Sequence, residues 1–412
     1  MRLTACVALA AVLVSASTLE AQDGKSWPQF MGAQQNGISN ETGWLTTWPA
    51  GGPKVAWQTN VGVGFSAPSI ANGRLYVMGG KDNKDTVWCF DAASGKEIWK
   101  YSYDCKEPKH DQNTGPRVTP TVDGNRVYTV SRNLQLFCLD ADTGAVIWQQ
   151  DLADKQGAVH GRVPWWGYGS SPVILGNLLI LMVDAKEGAV AALDKNDGKL
   201  VWKGGVGKGS YTTPLVYTKD GKTCLAVFLG DGLVALDAKT GEQAWKFPVK
   251  AQYDLTITEP IVVGNQVFIS DGYKVGSYLV DVSGAEPKMV WQSTEFFNQR
   301  TTSVLYKGCL YGIDGDNDRK PAFKCVEFAT GKEMWKHEGL GNGSLMLAGD
   351  KLILQGEAGD LVVAEATPDA YKEIARAKPL SGQCWTMPVL CAGRIYVRNQ
   401  AGDFVCLDVS AK

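Results

Sequence analysis

The chain has 412 residues, 44% apolar, 20% charged and 10% aromatic, which excludes a disordered or coiled-coil protein. Forty-one basic against forty-three acidic residues leave a net charge of −2, too small an imbalance to drive binding to nucleic acid or to an anionic membrane. Forty-seven glycines and fourteen tryptophans beside three histidines point to many tight turns and a repeated aromatic core, and away from a histidine-rich metal centre.

At the N-terminus, Arg2 supplies a positive start, Ala5 to Val14 a short apolar run, and Ala21 a small residue before Gln22. Residues 1–21 therefore read as a signal peptide, with Ala16 as an alternative cut. Leu3-Thr4-Ala5-Cys6 precedes the apolar run instead of following it, so no lipid anchor is expected. No later stretch approaches the roughly eighteen uninterrupted apolar residues of a membrane span. An exported protein, periplasmic or extracellular, follows, beginning with an N-terminal extension over residues 22–53.

From there one phrase recurs: an apolar strand ending in an acid, a short turn, Gly, then three residues and Trp. It reads Asp91, Gly95, Trp99; Asp140, Gly144, Trp148; Asp194, Gly198, Trp202; Asp237, Gly241, Trp245; and Glu327, Gly331, Trp335. Asp281 to Trp291 is two residues longer, the copy at Glu365 has degenerated with Ile374 near the Trp position, and Asp408 begins a copy that the chain end cuts off. The acids lie 49, 54, 43, 44, 46, 38 and 43 residues apart. Ahead of each phrase come a Pro-containing strand (Pro68, Pro120, Pro172, Pro214, Pro260, Pro388, with Ser303 and Ser344 as equivalents), a turn and a second strand such as Arg74–Met78. Four short strands in about 45 residues, with no helical period, make a propeller blade.

Gly after the turn supplies the positive φ of a tight hairpin, and the Trp fills the gap to the neighbouring blade. The four residues after Asp408 are too few for an outer strand, whereas Lys54 to Val61 reads as an outer strand with nothing before it to pair with. Pairing residues 54–61 with 403–408 completes an eighth blade and removes two exposed edges. The expected fold is all-β: an eight-bladed propeller over residues 54–412, closed by its own N-terminal strand.

Nine cysteines remain after Cys6. Cys89, Cys138, Cys325 and Cys406 sit two residues before a repeat acid, where other copies carry Ala192, Ala235, Leu279 or Val363, so the slot is a small buried apolar one. Cys384 and Cys391 flank one strand and lie about 23 Å apart at ~3.3 Å per residue, too far to bond. Few disulfides or none are expected.

The acid-to-Gly-to-Trp phrase, eight times over residues 54–412, resembles the pyrroloquinoline-quinone-like (PQQ-like) β-propeller repeat family. Trp27-Pro-Gln-Phe-Met-Gly and Gly43 to Pro49 look like the leader of its secreted bacterial members. Two branches are similar. The quinoprotein dehydrogenases imply PQQ at the axis, covered by a disulfide of adjacent cysteines and a Trp, with calcium on Glu, Asn and Asp and a catalytic Asp. The chain has no adjacent cysteines. Its nearest calcium-like string, Asp314-Gly-Asp316-Asn-Asp318, has Arg319 and Cys325 where an EF-hand loop needs Gly and Glu, and reads as a solvated loop. The outer-membrane assembly lipoprotein branch implies docking of another protein on exposed loops, together with a lipid anchor that this chain lacks.

The two longest repeats place extra residues at 101–117 and 150–169, including His110, His160, Arg117, Trp165, Trp166 and Tyr168. Loops on a rigid scaffold carry function. By repeat register, Phe65, Arg117, Tyr168, Tyr211, Glu259, Arg300 and Trp385 border the channel mouth. With Trp166 they form a candidate site for a planar or sugar-like ligand carrying anionic groups, held by forked guanidinium contacts. The structural alternative is that Arg117 and Arg300 pair with Glu259 and the aromatics plug the axis. No catalytic residue and no metal ligand is assigned. The sequence thus indicates a monomeric, non-catalytic scaffold that binds a protein or a small molecule, with no cofactor and no nucleic acid. The alternative is a PQQ- and calcium-dependent dehydrogenase of alcohols or sugars.

Overall fold

The computed structural model describes residues 25–107, 114–159 and 167–411. The signal-peptide expectation, His110, His160, Trp165 and Trp166 lie outside them. Eight sheets follow one another around the ring. Blade 1 is typical, with Ser69–Ala71 innermost, then Arg74–Lys81, Lys84–Asp91 and Glu97–Asp104 outermost. Blade 8 contains Val389–Cys391, Arg394–Arg398 and Asp403–Asp408, and its outermost strand is Lys54–Asn60 from the other end of the chain. That strand pairs antiparallel from Lys54 opposite Asp408 to Asn60 opposite Asp403, the closure expected from the sequence.

Each part of the repeat has a distinct physical task. The acid caps its turn: Asp140 Oδ1 accepts from the amides of Asp142 (3.0 Å) and Thr143 (2.9 Å), an Asx turn. Gly144 has φ 72°, and a Cβ there would lie 2.6 Å from the indole of Trp99 in the preceding blade. The glycine is therefore needed twice, for its backbone angle and as the seat of the neighbouring tryptophan. Trp57 on Gly95, Trp148 on Gly198, Trp202 on Gly241 and Trp291 on Gly331 repeat the contact.

Several of these indoles also donate across the seam, Trp99 Nε1 to Ala141 O at 3.0 Å and Trp57 Nε1 to Ala92 O at 3.0 Å. All eight outer strand pairs shift register at the same place, ahead of the Trp slot. Such a bulge re-aims a side chain, and here it turns the indole into the seam. In blade 7 the bulge puts Ala375, not Ile374, opposite Val363. Ile374 and Trp48 of the extension pack against the same apolar cluster.

The cysteines from Cys89 onward carry free thiols, and Cys89, Cys138, Cys325 and Cys406 are fully buried among apolar side chains.

The N-terminal extension is part of the fold. Trp27 exchanges backbone bonds with Ile70 of blade 1, and Pro28 accepts from Val122 of blade 2. Gln35 donates to Pro214 and accepts from Val216 of blade 4. Ile38–Ser39 adds a parallel fifth strand to the inner edge of blade 7. Leu45 donates to Val409 beside blade 8. By touching inner strands on opposite sides of the ring, the segment crosses the axis and buries Trp27, Met31 and Trp44.

Candidate functional site

The residues just before the inner strands surround a cavity of about 270 Å³. Phe65, Arg117, Tyr211, Glu259, Arg300 and Trp385 all line it, so six of the positions read from repeat register converge. Tyr168 does not. It is buried, with its ring in the apolar core of blades 1 to 4, and the next residue, Gly169, lines the cavity in its place. Side chains alternate along an extended chain, so an offset of one residue sends a ring to the opposite side. A Cβ on Gly169 would lie 3.2 Å from the ring of Tyr211, which occupies the space that the glycine leaves.

Four of these side chains form one column. The Arg117 guanidinium lies 5.5 Å over Phe65, Phe65 stacks on Trp385 with centroids 5.5 Å apart, and the Arg300 guanidinium lies 4.4 Å over Trp385. Cation–π contacts of this kind contribute on the order of 0.5–2 kcal/mol each. Trp385 Nε1 donates to Glu357 Oε1 at 2.8 Å, and Arg300 Nη2 donates to Asn317 Oδ1 at 2.5 Å. Burial pushes the Arg300 guanidinium below its ordinary range, partly offset by Tyr273, Glu357 and Asp316.

Glu259 is 5% exposed. It accepts from the hydroxyl of Thr302 and, at 3.3 Å, from the amide of Thr213. Burial raises its carboxyl to about 7, against the lowering effect of those bonds. The folded protein therefore holds a proton on Glu259 between the ordinary glutamate range and about pH 7, where the unfolded chain has lost it. Stability falls as pH rises across that window and levels off above it. Glu259→Gln is expected to flatten this part of the melting-temperature profile between pH 5 and 8 and to stabilise the protein at pH 8 by on the order of 1–3 kcal/mol. Asp85, raised to about 6 by burial, and Asp271, also raised by burial, add slope of the same sign. A wild-type profile flat over this range, matching that of the variant, contradicts the assignment.

The sequence reading missed several lining residues. Phe30 and Met31 of the extension border the cavity, and nothing in the repeat signals a plug that comes from outside it. Asp271, Tyr273, Gln299 and Asn317 line the wall between blades 5 and 6. Gln299, adjacent to Arg300, was within reach of the register argument, whereas Asp271 ends a second strand and required the packed structure.

The acidic string 314–318 is solvated only in part: Asn317 and Asp318 are exposed, whereas Asp314 and Asp316 are buried. Asp314 is 1% exposed and pairs with Arg319 at 3.2 Å and Lys324 at 3.1 Å. Asp316 accepts from the amides of Tyr273, Asp318 and Arg319. Closing a tight loop beside a buried lysine uses up these carboxylates. Among the described residues no cluster of three or more His, Cys, Asp or Glu is placed to hold a metal ion. The donor set of a quinone-and-calcium site, with its adjacent cysteines, does not fit this chain.

The family model described as outer membrane protein assembly factor BamB matches residues 38–107 and 83–337. The chain belongs to this PQQ-like propeller family. BamB of Shewanella oneidensis is 24% identical over 370 residues, covering 76% of this chain and 88% of that protein. Quinohemoprotein alcohol dehydrogenase ADH IIB of Pseudomonas putida is 30% identical over 165 residues, only 39% of this chain and 21% of the enzyme. Among solved structures, the quinohemoprotein alcohol dehydrogenase of Comamonas testosteroni superposes with a TM-score of 0.68 at 14% identity, over 96% of this chain and 82% of that one. BamB of Moraxella catarrhalis superposes with a TM-score of 0.57 at 16% identity, over 87% of this chain and 99% of that one. At these identities the two superpositions speak for the fold alone.

Proposed function

We propose that the protein is a non-catalytic, protein-binding scaffold of the bacterial cell envelope that serves outer membrane protein assembly from the periplasm, acting as a monomer. The observation that carries this reading is the extent of the match. The assembly factor of Shewanella oneidensis aligns along 88% of its own length, whereas the alcohol dehydrogenase ADH IIB contributes 21% of its length. The chemistry at the axis agrees with it. Arg300 is laid on Trp385, the carboxylates at 314 and 316 close a loop, and Glu259 is tied to two threonines, an arrangement that makes a rigid platform. None of the described helices is long and apolar enough to cross a membrane, in keeping with a body that docks on partners through its exposed loops.

Deleting the gene in its native host tests this. The amount of heat-modifiable, folded β-barrel protein in the outer membrane is expected to fall and to recover when the wild-type chain is supplied. Unchanged barrel levels, together with quinone-dependent dye reduction by the purified protein, would overturn the proposal in favour of a dehydrogenase.

A further inference from the structure

In all eight sheets the outer strand is terminal, so among the described residues its far edge has no partner. An open edge invites a further strand unless charge guards it. The repeat supplies that guard at two positions flanking the Trp slot. Three residues before the slot stand Lys54, Lys96, Lys199, Glu242, Lys288 and Lys332, in blades 8, 1, 3, 4, 5 and 6. Directly after it stand Lys100, Lys203, Lys246 and Lys336, in blades 1, 3, 4 and 6. Blade 7, which lacks the Trp, carries Glu373 and Arg376 on its outer strand. Blade 2 has neither guard: Ala145 and Gln149 occupy the two positions around Trp148.

The outer strand of blade 2, Val146–Asp151, is therefore uncharged from Val146 to Gln150 and aliphatic at its start. Val146 and Ile147 are 38% and 42% exposed, and Gln149 is exposed with them. One edge of this strand is taken by the ladder to Gln135–Asp140, from Val146 opposite Leu139 to Asp151 opposite Gln135. The other edge turns the alternate amides and carbonyls to solvent. The helix Leu152–Gln156, capped by Asp151, follows directly and ends the edge there. An extended backbone can pair with such an edge residue by residue, whereas a charged partner finds no counter-charge between Ala145 and Gln150. The fold already accepts an added strand elsewhere, since Ile38–Ser39 lies as a fifth strand on the inner edge of blade 7.

We propose that the outer edge of blade 2 takes up an extended, uncharged segment of a partner polypeptide as a further strand, with its backbone paired to residues 146–151 and its aliphatic side chains beside Val146 and Ile147. This rests on the protein-binding reading above and deepens it, since it assigns one contact to a strand edge instead of a loop and names the chemistry of what docks there.

Fluorescence anisotropy of the purified protein tests it, with a labelled synthetic peptide of five alternating Thr-Val pairs and a Gly-Gly-Lys-Lys tail for solubility. Saturable one-to-one binding is expected. Two consecutive prolines at the centre of the peptide remove an N–H from each of its edges and are expected to abolish binding. Gln149→Lys, which installs the guard of blades 1, 3, 4 and 6, is expected to weaken the parent peptide on the order of 10-fold, and adding Ala145→Lys to weaken it further. Gln292→Lys, the same change on the blade 5 edge that Lys288 already guards, is expected to leave binding unchanged. Both blade 2 positions are exposed and take residues that other blades carry there; melting curves run in parallel confirm folding. Absence of saturable binding, equal binding of the proline peptide, or unaltered affinity in folded Gln149→Lys overturns the proposal. A dimer of the parent chain that Gln149→Lys dissociates also overturns it, by assigning the edge to a second copy. Binding is read on the purified protein, so its failure is distinct from unchanged barrel levels in the deletion strain, which bear on the assembly reading.

Discussion

A chain lacking residues 22–61 is expected to lose cooperative folding altogether. The deletion removes the whole outer strand of blade 8 and with it the ladder from Lys54 opposite Asp408 to Asn60 opposite Asp403. It also removes Trp57, stacked on Phe404 with centroids 5.6 Å apart and seated on Gly95 of blade 1. Trp27, Met31, Trp44 and Val61, all buried, leave as well. At roughly 1.5–3 kcal/mol or more for each large apolar side chain, these five contribute an amount comparable to the whole stability of a typical domain, about 5–15 kcal/mol. The truncated ring also exposes Asp403–Asp408 as an unpaired edge, a template for aggregation. Size-exclusion chromatography and near-ultraviolet circular dichroism are expected to show aggregate without fixed tertiary signal. A monomeric product with the melting curve of the parent chain would refute the closure.

Arg398→Met is expected to destabilise the protein by roughly 3–5 kcal/mol, among the largest effects of any single substitution. Arg398 is completely buried at the end of a blade 8 strand and reaches into blade 1. Its guanidinium donates to Ser66 O at 3.0 Å, Met78 O at 2.8 Å and Gly62 O at 3.0 Å. Burial pushes the group down to about 9, and the ring of carbonyls is what keeps it charged and in place at neutral pH. Removing it strands three carbonyl oxygens inside the seam that joins the last blade to the first. Arg398→Lys is expected to recover only part of the loss, because an ammonium lacks the planar fork that spans three acceptors. Urea midpoints of the three proteins measure the effect. A methionine variant within about 0.5 kcal/mol of the parent, the range of ordinary surface substitutions, would show that the carbonyls are satisfied without it.

Closure joins the two results. The terminal strand holds the outer edge of the seam and Arg398 its inner end, so the ring is secured at two radii by residues distant in sequence.

The blades were legible because their determinants are local. Acid, Gly and Trp act within one hairpin and its nearest neighbour, and they recur often enough to be recognised. The strand at 54–61 was legible for the same reason, as an outer strand with no partner. Register also located Phe65, Arg117, Tyr211, Glu259, Arg300 and Trp385 at the channel. It failed at Tyr168, where an offset of one residue exchanges inside for outside and Gly169 holds the lining position. It failed at Asp314 as well, since a buried Lys324 on the neighbouring strand decides whether that acid is solvated.

The amino-acid sequence by itself determined the kind of strand, the number of blades and the way the ring closes, because those follow from short-range turn chemistry repeated around a circle. Only the tertiary structure decided that the extension crosses the axis, that Arg398 staples the first blade to the last, and that Asp271, Gln299 and Arg300 share one wall with polar atoms left unsatisfied among the described residues. Each of these depends on groups from different repeats, or from outside the repeats, meeting in three dimensions, where burial, and not sequence spacing, sets which polar atoms go without a partner.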